Sequence, residues 1–216
     1  MIPIGGALRH ADRAVLALGL LLASAPGSAQ VVLVETRSDY VLDASSAEAL
    51  REQLRQRLAQ RAAEGSVISH GLTRAELETR YELEPGDGSS CVLEEIEVRL
   101  TIDTLLPSWR PLGRPDASLR PRVEAMLAGL AKHEAGHRDH VLDTANRIDA
   151  GLRAFPPAPT CDALRRAAQR LVSRALIKLR FDEWNYDAAT QRGRRQGAAL
   201  TLEVPAPRAR RSASRR

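Results

Sequence analysis

Aromatic residues are scarce, at 3% of the 216-residue chain, so any core must be assembled from aliphatic side chains. Cysteine is almost as rare, with Cys91 and Cys161 as the two present and no CxxC spacing, which argues against a cysteine-ligated zinc knuckle. No apolar run reaches the roughly 20 residues that a membrane-spanning helix requires. The longest covers residues 14–25, near the N-terminus. There is no internal repeat, and the C-terminal segment 205–216 has no acidic residue. That last absence explains most of the formal charge of +5: Arg208, Arg210, Arg211, Arg215 and Arg216 all sit in this tail, and the remainder is close to neutral. A body so balanced gives no footprint of specific nucleic-acid binding.

The ends therefore read differently from the middle. Arg9 and Arg13 precede the short apolar run, and Gly27, Ser28 and Ala29 supply the small side chains of a cleavage site, so residues 1–29 are expected to be a signal peptide. Residues 205–216 are expected to be a disordered Arg-rich tail able to touch an anionic envelope surface. Between them, residues 30–204 are long enough for one domain with its own core. The expected location is the periplasm or outside the cell, with no membrane span after cleavage. In such an oxidising compartment an even cysteine count reads as one disulfide, Cys91 to Cys161.

Periodicity supplies the elements. Residues 31–42 read as one or two strands, and Ser45 with Glu48 as a capping box for a helix bearing Leu50, Leu54, Leu58 and Ala62 on one face until Gly65. Residues 74–84 are helix-like in composition but alternate strictly, with Ala75, Leu77, Thr79, Tyr81 and Leu83 on one side. Alternation decides for a strand, and a turn at Pro85-Gly86-Asp87-Gly88 returns the chain through Val92, Ile96, Val98, Leu100 and Ile102 as an antiparallel partner. Residues 107–115, with three prolines, read as a loop. A long helix is expected over 118–154, with Pro121 in its first turn and Val123, Leu127, Leu130, Val141, Ile148 and Leu152 inward. A third helix is expected over 161–181, presenting Leu164, Ala168, Leu171, Ala175 and Leu179, and residues 200–204 could add an edge strand. The fold class is α+β, an antiparallel sheet packed against three helices.

The middle of the long helix reads His133-Glu134-Ala135-Gly136-His137, an HExxH sequence. Residues four apart share one face, so two imidazoles can converge on a zinc ion while the intervening carboxylate serves as general base. Taking Val123 as zero at about 100° per residue, Glu134 falls near 20°, inside the apolar stripe, with the histidines on its flank. A carboxylate in a buried face is costly unless something there uses it. A third protein ligand is required. His140, about 10 Å along the axis from His133, is too far to share an undistorted site and suits a supporting or surface role. Asp187 is the first choice, placed just after the third helix, with Glu183 and Asp182 as alternatives.

Together these residues carry a resemblance. The chain resembles an uncharacterised bacterial domain family described as predicted secreted zinc-dependent proteases, through the strand and helix that follow residue 31, Cys91 and the run Leu106-Pro107-Ser108-Trp109, the HExxH helix, Cys161, and Tyr186 to Gly193 with Gln196-Gly197-Ala198. The resemblance implies an exported zinc metallohydrolase acting on polypeptides. It also implies a departure, since members usually have a histidine where Arg192 stands. The expected function is thus zinc-dependent hydrolysis using zinc-activated water with Glu134 as base. The competing readings are a non-catalytic envelope-associated binding protein with a degenerate HExxH, and a zinc hydrolase of non-peptide bonds.

Overall fold

A computed structural model of the chain describes residues 31–63 and 70–200. The expected leader, the helix stop at Gly65, the tail and the edge strand past Leu200 lie outside the described residues. Three strands and three helices follow in the order β1 (Val32–Leu42), α1 (Ala47–Ala63), β2 (Leu72–Pro85), β3 (Cys91–Trp109), α2 (Leu119–Arg153) and α3 (Cys161–Thr190). No helix among the described residues is long and apolar enough to cross a membrane.

The fold is α+β. β2 and β3 form the antiparallel hairpin that alternation predicts, from Leu72 opposite Leu105 to Pro85 opposite Cys91. The sheet as a whole is mixed and not purely antiparallel, because β1 lies parallel to β3 and the spatial order is β1-β3-β2. Insertion of α1 between β1 and the hairpin lets β3 enter beside β1 in the same direction, a crossover that a hairpin pattern alone does not reveal. β3 also runs on through Trp109, so Pro107 is a strand residue and not part of a loop. Beyond Leu105 its one ladder neighbour among the described residues is β1, the edge setting in which proline is tolerated.

One face of the sheet supports the helices. Ala75, Leu77, Val98, Leu100 and Ile102 meet Val141, Ala145, Ile148 and Leu152 of α2 and Ala168 and Leu179 of α3. A second cluster joins Leu42, Leu50 and Leu54 to Leu119, Val123, Met126 and Leu130 at the other end of α2. α1 contributes only its first half to this packing, and its N-terminal amide at Ala49 is capped by Ser46, one residue later than the Ser45 box. α2 has the expected bounds to within a residue.

α3 is longer than its apolar stripe suggests. Thr160 caps it, its hydroxyl accepting from the Ala163 amide at 3.2 Å. The helix then passes Phe181 and continues to Thr190. Its start is tied to the hairpin by the Cys91–Cys161 disulfide, with Cα atoms 5.0 Å apart. Close to the same bond, the Cys91 and Ala158 backbones exchange hydrogen bonds of 2.8 and 2.9 Å. α3 is thereby registered against both β3 and α2, and its last turns come to rest beside the middle of α2.

Candidate metal centre

The inward stripe of α2 is interrupted at its midpoint by polar side chains: His133, Glu134 and His137 are all buried. The inward stripe of α3 continues past Leu179 at helical spacing as Glu183, Tyr186, Asp187 and Thr190. Packing the two helices brings these polar stretches together. Asp187 is therefore a residue of the last helical turn, and not of a loop following the helix.

The geometry centres on three atoms. Nε2 of His133 lies 3.2 Å from Oδ1 of Asp187, Nε2 of His137 lies 3.2 Å from the same oxygen, and the two Nε2 atoms are 3.3 Å apart. These three residues can offer one donor atom each to a single cation. The remaining candidates stand elsewhere. Glu183, 4% exposed, uses one oxygen to bond Nδ1 of His137 and the other to accept from Nδ1 of His140 at 3.0 Å. It braces the back of His137 rather than reaching the triangle. Asp182 is turned away and paired with Lys178.

Each imidazole is held by its other nitrogen, which fixes the tautomer. For His133 the chain of bonds is explicit: the Gln196 amide nitrogen donates to the Tyr186 hydroxyl at 3.0 Å, and that hydroxyl donates to the His133 carbonyl at 3.2 Å. The Gln196 carbonyl oxygen is left facing His133 Nδ1 at 3.0 Å, so Nδ1 would keep its proton when Nε2 is given to a metal, whereas in the metal-free site Nε2 faces the Asp187 carboxylate. Tyr186 also lies flat against the His133 ring, with centroids 5.1 Å apart at 11°, and edge-on to His137 and His140. That fit requires Gly136, since a Cβ there would collide with the tyrosine hydroxyl. Gly193, at φ +80°, packs against the His133 ring in the same way.

Glu134 faces the sheet. Its Oε2 accepts from the Thr73 hydroxyl at 2.7 Å, and a Cβ on Gly71 would collide with Oε1. Burial raises its pKa above the ordinary carboxylate value, against the Thr73 bond and the nearby histidines. Burial acts upward on Asp187 too, but hydrogen bonds from His133 and His137 outweigh it and hold that carboxyl well below its usual range. For His137, burial acts downward, and bonds to Asp187 and Glu183 overcome it to bring the ring up to about 9.

Thr73, Gly71, Gln196 and the placement of Tyr186 are what the sequence left unassigned. Gln196 and Tyr186 stood within the resembling segments without a role, and Thr73 belongs to a strand whose start does not announce a helix opposite it. Arg192 is exposed in the turn after α3; its backbone amide bonds the Asp187 carbonyl at 2.7 Å, and among the described residues its side chain makes no hydrogen bond or ion pair to the site.

No curated protein and no solved structure matches the chain. A family model does match, over residues 37–194, and that span takes in both histidines, Glu134, Asp187 and the disulfide. The chain therefore belongs to DUF922, a bacterial protein family of unknown function.

Proposed function

We propose that this protein is an exported zinc-dependent hydrolase, and specifically a peptidase, with His133, His137 and Asp187 as the metal ligands. The observation that carries this is the donor triangle of 3.2, 3.2 and 3.3 Å. Three donor atoms this close to one another can share a single cation at about 2 Å from each. Two neutral imidazoles and one carboxylate also form a donor set that suits zinc and leaves a fourth position open.

Zinc, when bound, supplies Lewis acidity at that open position. The protein's own groups do the rest. Glu134, buried and raised in pKa, is suited to take a proton from the attacking water on Oε1 and return it to the leaving nitrogen. Thr73 keeps Oε2 oriented throughout. Gln196 and Glu183 hold the two rings so that neither can turn its free nitrogen away. A polypeptide substrate is favoured by the position of β2, which is an edge of the sheet and begins beside Glu134. An extended chain can add to such an edge by backbone hydrogen bonding.

The test is metal analysis of purified protein together with cleavage of a mixed polypeptide pool, read by mass spectrometry. One equivalent of zinc and new peptide termini are expected, with Glu134→Gln retaining the metal and losing about 10² to 10⁴ in rate. Iron in place of zinc removes the hydrolase reading. Well under one equivalent of any metal leaves the envelope-associated binding protein as the better account, and zinc without cleavage of any peptide removes the peptidase reading in favour of a zinc hydrolase of non-peptide bonds.

A further inference from the structure

The outward face of α3 is unlike the rest of the surface. Ile177, Phe181 and Trp184 are 55, 63 and 69% exposed, where a soluble helix normally shows polar groups. With Ile177 as zero at about 100° per residue, Phe181 falls near 40° and Trp184 near 340°, a single ridge. The same line continues toward the N-terminus as Arg166, Arg170 and Arg174, near 340°, 20° and 60°, with Arg180 flanking it near 300°. All four arginines are exposed, and among the described residues none has an ion-pair partner. The acidic residues of this stretch, Asp182 and Glu183, point elsewhere: one pairs with Lys178 and the other is buried against the histidines. The ridge thus has a cationic half and an apolar half flanked by Arg180, laid end to end over about 27 Å of helix.

We infer that this face docks the protein onto an anionic phospholipid surface, with Phe181 and Trp184 wedged among the acyl chains and Arg166, Arg170, Arg174 and Arg180 on the phosphates. Aromatic and large aliphatic side chains seat at the boundary between headgroup and hydrocarbon, and unpaired arginines beside them supply the attraction to negative charge. A second copy of the chain fits less well. A strip about 27 Å long and about 10 Å wide offers far less than the ~800 Å² per partner of a stable dimer. The inference is independent of the proposed hydrolysis, but it bears on it. Asp187 follows Trp184 by three residues, so docking would hold the histidine centre close to the bilayer.

Co-sedimentation of the chain with vesicles tests this, comparing equal mixtures of phosphatidylglycerol and phosphatidylcholine with phosphatidylcholine alone. All changes are confined to α3, so a contribution from any other segment is common to every variant. The expected result is binding to the anionic vesicles, weakened tenfold or more in F181S/W184S. In R170Q/R174Q it should weaken about fivefold per arginine at low salt, a difference that disappears at high salt. Bromine-labelled acyl chains should quench wild-type fluorescence and leave W184F, which retains Trp109, unquenched. The inference is overturned if these variants bind as wild type does, or if bromolipid quenching is the same with and without Trp184. It is equally overturned if sedimentation shows a dimer that W184S dissolves while vesicle binding is unchanged. Since every substituted residue is exposed, melting temperatures within a degree or two of wild type are expected to accompany these effects.

Discussion

Asp187 and Glu183 are both carboxylates of α3 beside the same histidine, and the structure gives them different work. Replacing each by its amide separates the two roles. Oδ1 of Asp187 sits 3.2 Å from both Nε2 atoms, so Asp187→Asn removes the charged donor from a proposed site that has three donors among the described residues. Structural zinc sites bind with about 10–16 kcal/mol shared among four ligands, roughly 2.5–4 kcal/mol each, so the loss should be on the order of a hundredfold to a thousandfold in affinity. Glu183 bonds Nδ1 of His137, on the far side of the ring from the triangle. Glu183→Gln keeps one acceptor, which can serve His137, and gives up the charge that strengthens the imidazole as a donor together with the second acceptor, which faced His140 Nδ1. Changes of this kind typically cost about 10- to 100-fold. Competition for zinc against a chromophoric chelator measures both on one scale, and the expected order is wild type, then Glu183→Gln, then Asp187→Asn. An equal loss in the two variants, or a greater one in Glu183→Gln, would refute the assignment of Asp187 as the ligand and Glu183 as the brace. Thermal melts of the metal-free proteins guard against a simpler cause, because Glu183 is the more buried of the two.

Two other predictions are independent of turnover. The disulfide closes a loop with a sequence separation of 70, for which the chain-entropy relation gives about 4 kcal/mol. C91A/C161A should show that deficit in urea unfolding, and a deficit under about 1 kcal/mol would mean that the Cys91–Ala158 pairing holds α3 in register without the bond. The pKa of His137 in the metal-free protein is raised from 6.5 to about 9 by Asp187 and Glu183, which overcome the opposing effect of burial. A raised histidine contributes its full stabilisation below about pH 6.5 and loses it as pH climbs through 9. Metal-free protein should therefore weaken between those limits, and zinc, which must displace that proton, should bind more tightly over the same interval. Urea titrations in chelator at pH 6, 7.5 and 9 check the first half, with His137→Gln expected to flatten the slope. A stability that rises with pH would contradict it.

The fold was legible in the sequence wherever side chains were apolar on one side and polar on the other. The alternation at Ala75, Leu77 and Tyr81 outweighed a helix-like composition and identified β2 correctly. The spacing of Val123, Leu130, Val141 and Ile148 located α2 to within a residue. Reading failed where the inward face turns polar. α3 has its last buried aliphatic at Leu179, and a pattern based on hydrophobicity stops there, although Glu183, Tyr186, Asp187 and Thr190 continue the same spacing. Polar groups occupy those positions because the facing side chains of α2 are histidines instead of leucines. The HExxH spacing found the two imidazoles for the same reason: four residues make one turn whatever the neighbours are. Partners from distant segments have no such local constraint. Thr73 reaches Glu134 across 61 residues and Gln196 reaches His133 across 63, and each depends on a helix crossing that no short window contains.

Gly136 is one of the two letters that HExxH leaves unspecified, yet in this chain it is not free to vary. The distance from α2 to α3 at the level of the histidines is gauged by a missing methyl group, with the Tyr186 hydroxyl filling the place a Cβ would take. Tyr186 and Asp187 are adjacent on α3, and the ring is held among three imidazoles, so relief by an outward shift of the helix carries the carboxylate with it. An alanine at 136 would lengthen both arms of the donor triangle at once while leaving His133, Glu134 and His137 intact in sequence. The motif could then be read in full from the chain and still be out of reach of its third ligand.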